Sequence, residues 1–237
     1  MVSVCMATYN GNKFISIQLD SILSQINQSD EIIISDDGST DGTLDTINNF
    51  KDERIKVINN VGKKGPVGNF ENALKHCSGE IIFLADQDDR WLPGKYQKHI
   101  NGHEDYDLVI SDATVVDENH QIIFSSFFKQ RKSKKGLLNN LLTNSYIGCC
   151  MSFKRDILNA SLPFPHSIHM HDWWIGLIAE LKGKVFFLNE PLMLYVRHSV
   201  NASGTLVKRL PLKDQLINRF DLIRNLIKFK ISNGTKQ

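Results

Sequence analysis

Long hydrophobic runs are missing from this 237-residue chain: no apolar stretch approaches the roughly 18 residues of a membrane span. Cysteine is scarce, with single residues at positions 5, 77, 149 and 150. None has the Cys-x-x-Cys spacing of a metal or redox motif, and neighbouring Cys149 and Cys150 are poorly placed to bridge each other. A disulfide scaffold is excluded on that count, and reduced core thiols of a cytoplasmic protein are expected. The start "MVSVCMATYNG" has no basic leader and turns polar by Thr8, so it does not read as a signal peptide. Linkers rich in Pro, Gly or Ser and internal repeats are absent as well. Net charge is only +2, and nucleic acid is not an expected partner. What is present is the composition of an ordinary folded domain, 41% hydrophobic and 23% charged, which excludes disorder.

Apolar runs alternate with helical patterns through the first half. "VSVCMAT", "EIIISDD", "RIKVINN" and "EIIFLAD" read as strands. "KFISIQLDSILSQI", "DGTLDTINNF" and "PVGNFENALKHC" between them read as helices. Short, continuously apolar, β-branched strands separated by helices imply a parallel sheet covered on both faces. The predicted fold class is therefore α/β, a mostly parallel, doubly wound sheet. Beyond residue 105 the pattern changes. "DLVISDATVVD" and "QIIFSSF" suggest a hairpin, "FKQRKSKKG" a basic loop, "LLNNLLT" a short helix and "YIGCCMSF" a strand. A helix follows from Lys154 to Ala160. "HDWWIGLIAELKG" is another, and "KVFFLNEPLMLYVRH" holds one or two strands. The expected organisation is a domain over 1–205, with halves 1–104 and 105–205, and an appended basic amphipathic helix over 206–237.

Three polar strand ends raise chemistry. "ATYNG", "SDDGSTDG" and "ADQDD" follow strands one, two and four, and in parallel sheets such ends face one crevice. "LADQDDRW" places Asp86, Asp88 and Asp89 in four positions after a buried strand. Like charges this close repel and resist desolvation, and a hard divalent cation would offset that. Asp86 and Asp88, two apart on an extended chain, leave on one side; Asp89 points elsewhere and caps the turn before Trp91. "DDGSTDG" resembles the start of a calcium loop from Asp37, but the twelfth position is Asn48 rather than Glu, and a strand precedes it. "VGKKGPVGNF" is glycine-rich without matching a phosphate loop; Gly65 and Asn69 let the backbone pass close to the crevice. Asp172 opens an apolar helix, either as its cap or as a general base. Trp173 and Trp174 cannot both join one narrow core stripe, and an aromatic wall beside a carboxylate suits a sugar ring. His171 and His198 stand out among eight histidines for their polar, turn-rich surroundings.

Together "ATYNG", "EIIISDDGSTDGT", "GNFENAL", "LADQDDRW" and "HDWW", in that order, resemble family 2 glycosyltransferases of the GT-A fold, in particular the rhamnosyltransferase-like branch of bacterial surface polysaccharide synthesis. The resemblance runs to about residue 205 and implies a nucleotide-sugar donor. It puts Thr8, Tyr9 and Asp36 at the base, with Asn69, Asp86 and Gln87 also on the donor. It puts Asp88 on Mg²⁺ or Mn²⁺ with His198 approaching from a closing loop, "RHSVNASG". It makes Asp172 the base that activates the acceptor, beside Trp173 and Trp174. The implied reaction is a single inverting displacement from a deoxythymidine or uridine diphosphate sugar, rhamnose being the first expectation, onto a glycan or lipid-linked acceptor.

Charge is uneven. From Leu206 onward eight Lys or Arg face two Asp, a net +6, against −4 for the rest. Leu216, Ile217, Phe220, Ile223, Leu226 and Ile227 recur there at helical spacing, so this helix packs on protein or rests on acidic lipid at the inner face of the plasma membrane. Three other readings compete. A sugar-phosphate nucleotidyltransferase should have a glycine-rich, basic loop after strand one, and "ATYNGNKF" is poor in both. An aspartyl phosphatase needs its Asp-x-Asp after its first strand. A non-catalytic nucleotide- or sugar-binding module would use Asp172 only as a cap.

Overall fold

A computed structural model describes residues 1–198 and 211–234. The first half alternates as expected: β1 (Val2–Thr8), α1 (Ile15–Leu23), β2 (Glu31–Asp36), α2 (Thr43–Asn48), β3 (Ile55–Asn59), α3 (Pro66–His76) and β4 (Ile81–Asp86). A short β5 (Arg90–Trp91) and α4 (Lys95–Gly102) lead into β6 (Leu108–Asp117), which turns back as β7 (Ile122–Phe124). Then come α5 (Phe127–Arg131), α6 (Leu137–Leu142), a 3-10 turn over Gly148–Cys150, β8 (Met151–Lys154) and α7 (Arg155–Ser161). α8 (His171–Lys182), β9 (Val185–Arg197) and α9 (Leu212–Gly234) complete the described chain.

Burial follows the patterning. β2 is buried at every position and β1 at all but one, because helices cover both faces of the sheet. α1 buries Ile15, Gln18, Leu19 and Ile22, the i, i+3, i+4, i+7 stripe that a surface helix turns to its sheet. The strands form one sheet in the order β3-β2-β1-β4-β8-β6-β9-β5, with β7 on β6. β1, β2, β3 and β4 are mutually parallel, as doubly wound topology requires. The second half adds antiparallel pairings, β8 against both β4 and β6, so the complete sheet is mixed.

Two local expectations change. In "YIGCCMSF" only Met151–Lys154 pairs as a strand, since Gly148–Cys150 folds into the tight turn. In "FKQRKSKKG" the first residues form α5, whose start is capped by Ser126 Oγ accepting the Lys129 N–H at 3.1 Å.

The topology fixes where a ligand can sit. From β1 the chain moves outward through β2 and β3, then returns to the other flank of β1 as β4. The connections diverge there, and a crevice opens beyond the strand ends. Register aligns the polar ends on that edge: Thr8 beside Asp36, Asp36 beside Asn59, and Ala7 beside Asp86.

Candidate active site

Asp36 is the brace of the β1–β2 edge. Its Oδ1 accepts Thr8 Oγ1 at 3.1 Å and Ser39 Oγ at 2.5 Å, and its Oδ2 accepts the N–H groups of Gly38 and Ser39 at 2.9 and 2.8 Å. Four hydrogen bonds fill a carboxylate's acceptor capacity. Asp36 lies at the crevice as expected, but its oxygens are spent on shaping the loop. Its neighbour Asp37 ties the next loop, accepting Asn60 Nδ2 and the Gly65 N–H, both at 2.7 Å. Sequence reasoning gave Asp37 only a calcium reading.

Tyr9 presents an exposed ring at the crevice and is held from behind by Gln87. The Gln87 amide accepts the Tyr9 N–H and donates to the Tyr9 carbonyl, each at 3.0 Å. A Cβ on Gly11 would lie 2.2 Å from Gln87 Oε1, so this clamp needs glycine there. Asn69, near the start of α3, donates to the Thr8 carbonyl at 3.0 Å. Expected donor-side residues Thr8, Tyr9, Asp36, Asn69 and Gln87 thus form one connected network across β1, β2, α3 and the end of β4.

The carboxylates gather beside it. Asp86 is pushed up to about 7, first by burial, then by Asp88 and Asp172. Asp89 is pushed well above the usual range by burial, then by Asp88 and Asp86. Asp89 does not cap the turn before Trp91: it is buried and accepts the Val196 N–H of β9 at 3.0 Å, 107 residues away. Buried and crowded by other carboxylates, Asp86 and Asp89 resist ionising unless positive charge lies nearby.

Part of that charge is built in. Lys95 is fully buried, with Nζ donating to the Cys149 carbonyl at 2.9 Å and lying 5.3 Å from the centre of the Trp91 ring. Burial lowers its pKa, while Cys150, Cys149 and Asp89 counteract that. "WLPGKYQKH" carries no local sign that its lysine points inward.

Asp172 lies in the first turn of α8, two residues past the cap position held by Met170. Its Oδ2 accepts the Gly148 N–H at 3.1 Å, and its Oδ1 the Trp173 N–H at 2.6 Å. The tight turn missed in "YIGCC" supplies that first donor. Burial raises Asp172 to about 6 despite both bonds, the range in which a carboxylate is a useful base near neutrality.

His171 is no site residue. It stacks on Phe70 at 4.1 Å, and burial drives its pKa to about 3, leaving it neutral. Trp174 likewise faces away: it is buried, donates to the Ser161 carbonyl at 2.9 Å and meets Phe229 of α9 edge-on. Its expected acceptor role is withdrawn, because successive helix positions point about 100° apart and one of the two must enter the core. Trp173 is half-buried, with its indole N–H on the Asn140 carbonyl at 2.7 Å.

One pair of donors here is of the kind that takes a divalent cation. Asp88 Oδ2 and His198 Nε2 converge at 2.8 Å, with Asp86 two residues back on the strand end and the His198 ring stacked on Phe14 at 4.6 Å. Carboxylate oxygens with one imidazole could hold Mg²⁺ or Mn²⁺. Asp86, Asp89 and Cys149 also bring ligand atoms within 4.8 Å of one another. Burial pushes the Cys149 thiol well up, so it stays protonated, and sulfur suits neither ion. Most of "RHSVNASG", the expected closing loop, lies outside the described residues.

A mixed sheet with this switch-point edge and its acidic strand end is the GT-A fold, the class of nucleotide-sugar glycosyltransferases. The family model "Glycosyl transferase family 2" matches residues 3–162, and the chain belongs to that family. It is 32% identical over 181 residues to the Escherichia coli UDP-Glc:alpha-D-GlcNAc-diphosphoundecaprenol beta-1,3-glucosyltransferase WfgD, covering 75% of this chain and 68% of that protein. It is 30% identical over 220 residues to the Shigella flexneri dTDP-rhamnosyl transferase RfbG, covering 84% and 73%. The crystal structure of S. aureus TarS 1-349 in complex with UDP-GlcNAc superposes with a TM-score of 0.71 at 20% identity, over 96% of this chain and 66% of that one. The chain thus spans about two thirds of the length of these proteins.

Proposed function

We propose that the chain transfers one sugar from a nucleoside diphosphate donor to a hydroxyl of a glycan carried on lipid, at the cytoplasmic face of the plasma membrane, in bacterial polysaccharide synthesis. The observation that carries this reading is the gathering of Asp86, Asp88, Asp89 and Asp172 at the switch point, with His198 Nε2 2.8 Å from Asp88. Such a cluster suits a cation bound to a diphosphate better than any purely structural role.

The donor base is a pyrimidine dione. Uracil and thymine share the same hydrogen-bonding edge, and the two relatives' names divide between UDP-glucose and dTDP-rhamnose. Rhamnose remains the first expectation for the sugar. Tyr9, steadied by Gln87, lies on the base side, over the loop that Asp36 braces.

Asp88 and His198 would hold Mg²⁺ or Mn²⁺, which when bound offsets negative charge on the departing diphosphate. Asp172 does the proton chemistry. Its carboxylate takes the acceptor hydroxyl proton while that oxygen bonds to the anomeric carbon. The bond from that carbon to the diphosphate oxygen breaks, and its electron pair leaves with the nucleotide. One displacement inverts the centre, and no second carboxylate is needed to carry a covalent intermediate. The Gly148 and Trp173 N–H groups hold Asp172 in place.

Calorimetric titration with uridine and deoxythymidine diphosphates, with and without Mn²⁺, tests the donor site. Metal-dependent binding that is lost in Asp88→Ala is expected. A folded wild type that binds neither diphosphate under any condition refutes the proposal.

A further inference from the structure

α9 is amphipathic on two faces, and the fold uses only one. Leu222, Asn225 and Leu226 are buried toward the domain, Phe229 meets Trp174, and Asn225 Nδ2 donates to Ser167 Oγ at 3.0 Å. On the opposite side Leu212, Leu216, Phe220, Ile223 and Ile227 recur at steps of four, four, three and four, with exposures between 43% and 77%. They make an apolar stripe about 23 Å long on a 23-residue helix. Packing does not explain it, since the inner face already anchors the helix.

The patch extends onto α6. The Arg219 guanidinium donates to the Leu142 carbonyl at 2.7 Å, which sets the exposed Leu138 and Leu142 beside the stripe. Basic residues accompany it: Lys213, Lys228 and Lys230 on α9 itself, and the exposed Lys132, Lys134 and Lys135 in the segment that leads into α6. An apolar stripe accompanied by lysine is the pattern of a helix lying in the plane of a membrane interface. No helix of the described residues is long and apolar enough to cross a membrane.

We infer that the outer face of α9, with Leu138 and Leu142, docks this chain on an anionic lipid bilayer. A second copy is the other occupant such a stripe could take, and charge opposes it. A parallel pairing of two α9 helices sets Lys213 and Lys228 each beside its own equivalent. In either direction two copies of α9, each with five Lys or Arg against two Asp, carry like net charge and repel. Anionic headgroups complement the same residues. The inference rests on the proposed function only for its use, which is to bring the crevice to a lipid-borne acceptor; the surface is argued from α9 and α6 alone.

The test is co-sedimentation of the full chain with vesicles of phosphatidylglycerol and phosphatidylcholine, or of phosphatidylcholine alone, at low and high salt. Wild type is expected to bind the anionic vesicles, to lose that binding in high salt, and to ignore the neutral ones. The double variant Phe220→Glu/Ile223→Glu, altered only at exposed positions, should bind about tenfold or more weakly. Circular dichroism and diphosphate titration should match wild type, which separates failure of the surface from failure of the donor site. Wild type that stays in the supernatant overturns the inference. So does a variant that binds as well as wild type, or a wild-type dimer in light scattering that the variant makes monomeric.

Discussion

Asp172→Asn removes a charge that the fold holds against solvation, so it should stabilise the protein at high pH while stopping transfer. Burial raises Asp172 from the ordinary 3.8 to about 6. A carboxyl with a raised folded pKa is neutral in both states below about pH 4, and there it affects stability little. As pH rises through the interval from 4 to 6, the unfolded chain releases its proton before the folded one does. Wild-type stability therefore falls across that window and stays lower above it. Roughly two pH units at 1.36 kcal/mol each make about 3 kcal/mol at pH 8. Asn keeps one acceptor oxygen for two backbone donors, from Gly148 and Trp173, so about 1–2 kcal/mol is lost at every pH. The net expectation is a gain of about 1–2 kcal/mol at pH 8 and a loss of similar size near pH 4. In a chain of this size that is a melting shift of about 2–8 °C, opposite in sign at the two pH values. Thermal melts in chelator at both pH values measure it directly. A variant that melts below wild type by the same amount at both would refute the claim that Asp172 is ionised under strain. Loss of a general base should lower kcat by about 10²–10⁴ with diphosphate affinity unchanged.

Wild-type transfer should rise as pH increases through about 6, because Asp172 must be deprotonated to accept a proton; a flat pH–rate profile from 5 to 8 would remove it from that role. Gly176→Ala would put a Cβ 2.4 Å from the Tyr146 ring, whose hydroxyl is tied to Glu180 Oε1 at 2.9 Å, and a cost of about 1–3 kcal/mol should appear in urea melts. Lys95→Met keeps the volume but leaves the buried Cys149 carbonyl unpaired and removes the positive charge near Asp89, so stability should drop by about 1–3 kcal/mol in the same assay. Gly11→Ala should swing Gln87 off Tyr9 and lose two neutral hydrogen bonds, about 1–3 kcal/mol, which should lower the melting temperature by several degrees; an unchanged melt would show that the clamp does not hold Tyr9.

Much of this protein was legible locally. The alternation of β-branched runs with helical stripes marked β1 to β4 and the helices between them, since periodicity reports which side of each element is apolar. Polar residues at the ends of those strands marked the crevice, because parallel topology puts all such ends on one edge. "LADQDD" announced unbalanced charge through its composition alone, and the apolar spacing of "LINRFDLIRNLIKFK" with its interleaved Arg and Lys announced a basic amphipathic helix.

Other features depend on which elements meet, and no local pattern carries that. Trp173 and Trp174 are adjacent and chemically alike; the contact of α8 with α7 and α9 sent Trp174 into the core. Asp36 looked like a ligand residue until Thr8, Gly38 and Ser39 filled its oxygens. Asp89 found its donor on β9 and Asp172 one of its donors on the turn at Gly148. Lys95 was drawn beneath the acidic cluster from a stretch that reads as solvent-exposed. The sequence by itself determined the elements, their apolar faces and the edge on which chemistry collects. Only the tertiary structure decided which polar groups are spent on holding the site and which remain to act, because hydrogen-bond partners and desolvation come from residues distant along the chain.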